Sequence, residues 1–127
     1  MGNGTSIGRV RGLGSAHSGA HHWLIIRYTA IGSLVLTAWF IASILMLPNL
    51  EYAAVREWLA RPVPATLLGL FVLINIWHAR LGIQVVIEDY VHEHANKFAS
   101  IVVLNLVTFA AIAFGAFCVV RLALGGA

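Results

Sequence analysis

The sequence predicts an all-α integral membrane protein with three transmembrane helices, and three observations carry that reading. Of 127 residues, 60% are hydrophobic and only 10% charged, with a mean hydropathy of +0.87; soluble domains run at roughly 45–50% apolar and about 25% charged. A chain this short forms at most one modest domain, so its apolar excess has no interior to fill and lipid must solvate most of it. Three stretches, 23–47, 63–87 and 98–122, each reach the about 20 mostly apolar residues that cross a bilayer. They divide the chain into an N-terminal tail (1–22), one three-helix domain (23–122) and a short C-terminal tail (123–127).

Residues 1–22 mix Gly, Ser, His and Arg with no apolar core. That is the pattern of neither a signal peptide nor a transit peptide, and the tail is expected to stay on the side where it is made. Pro48 ends the first span, and Pro62 and Pro64 open the second. Between them Glu51, Tyr52, Arg56, Glu57, Trp58 and Arg61 form a short amphipathic stretch suited to lying at the membrane interface.

Net charge is +3, and the basic residues are scattered. Arg9, Arg11, Arg27, Arg80 and Lys97 belong to the tail, the second loop and the adjoining helix ends; Arg56, Arg61 and Arg121 belong to the other side. The excess favours an N-terminus on the cytoplasmic side. No basic run could track a phosphate backbone, so nucleic acid is not an expected partner. The lone Cys118 excludes an internal disulfide or a cysteine-based cluster. Three spans place the tail and the second loop on one face, where His17, His21, His22, Arg27, Glu88, Asp89, Tyr90, His92, Glu93, His94 and Lys97 converge.

Ionisable groups within a span are costly and point to function. His78 sits about nine residues before the expected end of the second span, ~14 Å below that edge at ~1.5 Å per residue. Phe71, Ile74, His78, Gly82, Val85 and Asp89 fall within ~60° of one line on the helix. A histidine, a gap with no side chain one turn on, and a carboxylate at the edge therefore share a face. A packing histidine bonded to a neighbouring helix and a cofactor ligand both satisfy this pattern. Arg80, ~200° round from His78, is expected to face another subunit or reach for the edge. Thr29, Ser33 and Thr37, and likewise Thr108, Ala111 and Gly115, make small-residue stripes suited to close helix packing. Asn75 and Asn105 read as interhelical hydrogen-bonding groups, and Tyr90 alone reads as a member of the interfacial aromatic belt.

Two motifs then carry a resemblance: His21-His22-Trp23 followed by Arg27, Thr29, Ala30 and Ile31, and His78-Ala79, Gly82, Val86 and Asp89-Tyr90. On these residues the chain resembles the D-type cytochrome b membrane anchor of succinate dehydrogenase (succinate:quinone oxidoreductase, respiratory complex II). Arg80 departs from the family pattern. The resemblance implies half of a haem-binding helix bundle, in which this chain and a second, C-type anchor hold one haem b, each giving one axial histidine. Here that ligand to the haem iron is His78. It also implies a ubiquinone-reduction site at the edge, with Tyr90 donating to a quinone carbonyl and Asp89 holding a partner's basic residue or aiding proton delivery. Arg27, helped by His21 or His22, would meet a haem propionate. The implied partners are the second anchor, an iron–sulfur subunit, a flavoprotein subunit and membrane lipid. Succinate oxidation would belong to those partners, since this chain has neither a Gly-rich nucleotide turn nor enough cysteines for an iron–sulfur cluster. Met1 at the start favours a bacterial inner membrane over a mitochondrial one. A fumarate reductase anchor, or a structural or proton-relay three-helix protein without haem, are the alternatives.

Overall fold

The computed structural model describes residues 19–125, and His17, Arg9 and Arg11 lie outside them. Four helices follow one another: α1 (Gly19–Leu45), α2 (Tyr52–Leu59), α3 (Pro62–Tyr90) and α4 (His94–Ala123). α1, α3 and α4 are each long and apolar enough to cross a membrane. All three outrun the apolar stretches that announce them: α1 begins four residues before Trp23, α3 continues three beyond Ile87, and α4 starts four before Phe98. Hydropathy marks only what hydrocarbon tolerates, whereas backbone hydrogen bonding carries a helix on into the interface. At ~1.5 Å per residue, the 29 residues of α3 span ~43 Å, against a hydrocarbon core of about 30 Å.

Proline sets the boundaries on one side. α1 ends three residues before Pro48, its last carbonyls taken by Met46 and Leu47 amides; Pro62 opens α3, where its missing N–H would have had no helical partner. Between them α2 caps the end of the bundle. Leu59 is 3% exposed, Trp58 stacks on Trp39 of α1 at 5.8 Å between centroids, and Arg56 Nη2 donates to the Gly125 carbonyl at 2.6 Å. Gly125 takes a positive φ of 77° just past α4, a conformation that closes helices and that glycine adopts without strain.

α3 is the central helix. α1 packs on one side of it and α4 on another, and α1 and α4 make no helix-to-helix packing contact with each other. A three-residue connection, 91–93, forces α4 to run back antiparallel to α3. Both seams close on glycine. A Cβ at Gly115 of α4 would sit 2.6 Å from Val72 Cγ1, and one at Gly32 of α1 would sit 3.3 Å from Ile74 Cδ1. Small residues at helix crossings let backbones approach where lipid offers no hydrophobic drive for association. Leu59, Leu81 and Thr108 are the buried residues among those described, while large apolar side chains on all three long helices stay exposed, as suits a chain solvated by lipid and by partner helices.

Candidate functional site

The seam between α1 and α3 is a ladder of paired side chains, its rungs on α3 about one turn apart. Phe40 stacks on Phe71 with centroids 5.0 Å apart; Ser33 Oγ donates to Asn75 Oδ1 at 2.7 Å; Thr29 Oγ1 lies 3.0 Å from His78 Nδ1. Positions on α1 rise as their partners on α3 fall, which fixes an antiparallel register. Asn75 spends its amide on the Phe71 carbonyl at 2.8 Å, so its polar groups are satisfied at membrane depth. His78 is half-buried and twelve residues from the end of α3, ~18 Å along the axis.

One turn beyond His78 the ladder stops. Gly82 is exposed, and a Cβ there would meet nothing within 4 Å. The open flank beside an imidazole whose Nδ1 is engaged suits a flat ring system approaching Nε2. Among the described residues, no three or more His, Cys, Asp or Glu side chains come together in a metal-binding group. A metal held by His78 would therefore need ligands from beyond these described side chains.

At the Tyr90 end of the same seam, His22 has its Nε2 buried, with no hydrogen-bond partner among the described residues. His21 faces outward. Gln84 Nε2 donates to Glu88 Oε1 at 2.7 Å, leaving Gln84 Oε1 buried without a partner. Lys97 Nζ donates to the Glu88 carbonyl at 2.9 Å, and Asn96 donates to the Glu93 carboxylate, so the second connection is tied down locally. Asp89 is exposed, and Tyr90 is 79% exposed.

The sequence matches the model of the family described as "Succinate dehydrogenase/Fumarate reductase transmembrane subunit" over residues 1–112. The chain belongs to that family. It is 34% identical over 113 residues to the succinate dehydrogenase hydrophobic membrane anchor subunit of Rickettsia bellii, covering 89% of each chain. To the subunit of the same name from Rickettsia conorii it is 36% identical, over 79% of this chain and 80% of that one. To that from Paracoccus denitrificans it is 31% identical, over 91% and 89%. With three helices of membrane-crossing length, this member of the transmembrane-subunit family is a multi-pass membrane protein.

Within the family frame, the structure joins some of the sequence-selected residues and separates others. His78 is joined to Thr29, a residue read from the sequence as part of a small-residue packing stripe and of the first motif, with no link to His78. Arg27 sits ~200° round α1 from Thr29, exposed, with its guanidinium 4.7 Å above the Trp23 ring; it is off the His78 seam. Arg80 needs a correction, because its guanidinium is held within the chain instead of being left for a subunit or the edge. Its Nε and Nη2 both donate to Asn105 Oδ1 of α4, at 3.1 and 2.8 Å, and its guanidinium lies 5.3 Å from the Trp77 ring. The ~200° offset from His78 put Arg80 on the opposite side of α3, and α4 is what occupies that side. A register between α1 and α3 would have exposed the Thr29–His78 pair: Thr29 and Ser33 are one turn apart, as are Asn75 and His78.

Proposed function

We propose that this chain is the D-type anchor of a succinate:quinone oxidoreductase, holding haem b jointly with a second, C-type anchor and forming part of the ubiquinone-reduction site. One observation supports this above the others: an imidazole near the middle of α3 has its Nδ1 engaged by Thr29 and an open flank at Gly82 one turn on. In this reading His78 Nε2 would hold the haem iron together with a histidine of the second anchor. Bis-histidine haem supplies a one-electron site between the iron–sulfur subunit and the quinone.

The chain's own residues do the rest. α3 holds the imidazole in a helix clamped on both sides, which fixes where the ligand sits. Tyr90, at the end of the same helix, presents a phenol to the interface, where it donates a hydrogen bond to a quinone carbonyl, orients the ring and favours charge developing on that oxygen. Asp89 beside it either holds a basic residue of a partner or passes protons in from water. Arg27, exposed on α1 beside Trp23, is assigned with His22 or His21 to a haem propionate. The soluble iron–sulfur and flavoprotein subunits dock on the face bearing the tail and the second connection. That face is cytoplasmic in the inner membrane of a bacterium, with the mitochondrial inner membrane as the alternative.

The reduced-minus-oxidised spectrum of the assembled complex tests this. A b-type α band is expected in the wild type and its loss in His78→Ala, with the subunit still inserted. An unchanged band in His78→Ala overturns the assignment.

A further inference from the structure

The Thr29 hydroxyl has one proton and three polar neighbours. Oγ1 lies 2.8 Å from the Ile25 carbonyl, 3.0 Å from the Ile26 carbonyl and 3.0 Å from His78 Nδ1. The two carbonyl oxygens can only accept, whereas a ring nitrogen donates or accepts according to tautomer. If the hydroxyl proton went to Nδ1, the Thr29 oxygen would face both carbonyl oxygens lone pair to lone pair. The ring would then carry its proton on Nε2, pointing toward the open flank. If instead the hydroxyl donates back to its own helix and accepts from Nδ1–H, all three contacts are attractive. The ring proton is then held on Nδ1, and the Nε2 lone pair is turned outward.

We infer that Thr29 is the positioning residue for His78: it fixes the Nδ1–H tautomer and ring orientation and leaves Nε2 as the donor to a ligand, a role that rests on the haem reading above. Ligating histidines generally give their other N–H to a neighbouring acceptor, which raises ligand basicity and holds the ring. Here that acceptor is a hydroxyl already polarised by the backbone of α1, and such chains strengthen each link. Because the pair bridges α1 and α3, the angle of the ligand depends on the packing of a helix that does not itself provide it. A more basic ligand favours ferric over ferrous iron, so Thr29 lowers the potential of the haem it serves.

The test uses the complex assembled with all its partner subunits and three substitutions. Thr29→Val keeps the shape and removes the hydroxyl; Thr29→Cys does so with different packing and a weak acceptor, and decides the matter should the valine variant fail to assemble. Thr29→Ser keeps the hydroxyl. Three properties are read: transfer of haem to excess apomyoglobin, the g values of the ferric low-spin electron paramagnetic resonance signal, and the midpoint potential. Valine and cysteine should weaken haem retention about 10–100-fold, shift the g values and raise the midpoint, while serine stays at wild type in all three. Wild-type behaviour of the hydroxyl-free variants overturns the inference, and so does a serine variant as impaired as valine, because volume would then be what matters. Failure of the haem reading shows elsewhere, as a wild-type complex without haem or a His78→Ala complex that keeps it.

Discussion

On its α1 side, α3 meets hydroxyls: Thr29 and Ser33 reach His78 and Asn75. On its α4 side it meets Gly115 beneath Val72 and an asparagine, Asn105, whose single carbonyl oxygen takes two donors from Arg80. His78 and Arg80 are two residues apart and so lie at nearly the same depth, about 3 Å apart along the axis. Two of the arginine's five N–H donors go to one oxygen of Asn105 and hold the guanidinium on α4; the histidine meets α1 through Nδ1 and keeps its other ring nitrogen over. Two ionisable groups at one level of a span thus meet different neighbours, an amide oxygen on α4 and a hydroxyl on α1.

The sharpest way to break this comparison is to remove each group in turn. His78→Ala should abolish the b-type band altogether, whereas Asn105→Leu, which frees Arg80 without touching the α1 seam, should leave the band in place and lower the thermal stability of the complex. Hydrogen bonds to charged groups contribute about 1.5–3 kcal/mol. If both substitutions erased the band alike, the two sides of α3 would not be separable in function.

Tyr90→Phe should act next most strongly, and without any effect on assembly. The residue is exposed, so losing its hydroxyl disturbs no packing, while loss of one donor to a developing oxyanion costs on the order of 10²-fold in turnover. Quinone reduction should fall on that scale, and succinate oxidation with a soluble artificial acceptor should persist. Full quinone turnover in Tyr90→Phe would return Tyr90 to the aromatic belt.

Glycine distinguishes the seams by a different route. Gly115→Leu drives a side chain into Val72 and should cost about 1–3 kcal/mol, as overpacking does, read as earlier heat inactivation and partly relieved by Val72→Ala. A Cβ at Gly82 meets nothing within 4 Å, so in Gly82→Leu the helices should pack as before while haem incorporation fails. A Gly82→Leu complex with full haem content would show that the open flank is not where the cofactor lies.

These differences track what the sequence could disclose. Composition and apolar run length are properties of one chain in one solvent, so the three spans, the proline boundaries and the α2 stretch are all legible in it. The sides of α3 are legible too, since ~100° per residue separates His78 from Arg80 without any knowledge of neighbours. Which residue answers each of them is not, because that depends on how far one helix slides along another. The slide is set by close approaches such as Gly32 on Ile74 and Gly115 on Val72, and periodicity says nothing about it. Thr29 therefore read as one of a stripe of small residues until the register gave it a partner.

The smallest expected effect concerns the rung below. Ser33 Oγ donates to Asn75 Oδ1 at 2.7 Å, yet Asn75 also anchors its amide on Phe71 of its own helix, so removing the serine hydroxyl leaves the asparagine oriented and only one of its acceptor sites empty. Interhelical hydrogen bonds within membranes average about 0.6 kcal/mol, because the separated helices find other partners. Ser33→Ala should thus lower stability by about that amount and leave the haem spectrum and potential unchanged, unlike Thr29→Val one turn away. A double-mutant cycle of Ser33→Ala with Asn75→Leu measures the coupling directly. A coupling of 2 kcal/mol or more, well above that average, would mean that the polar ladder holds α1 on α3. The Thr29–His78 pair would then be one more fastening, and the contrast between the two sides of α3 would lose its functional meaning.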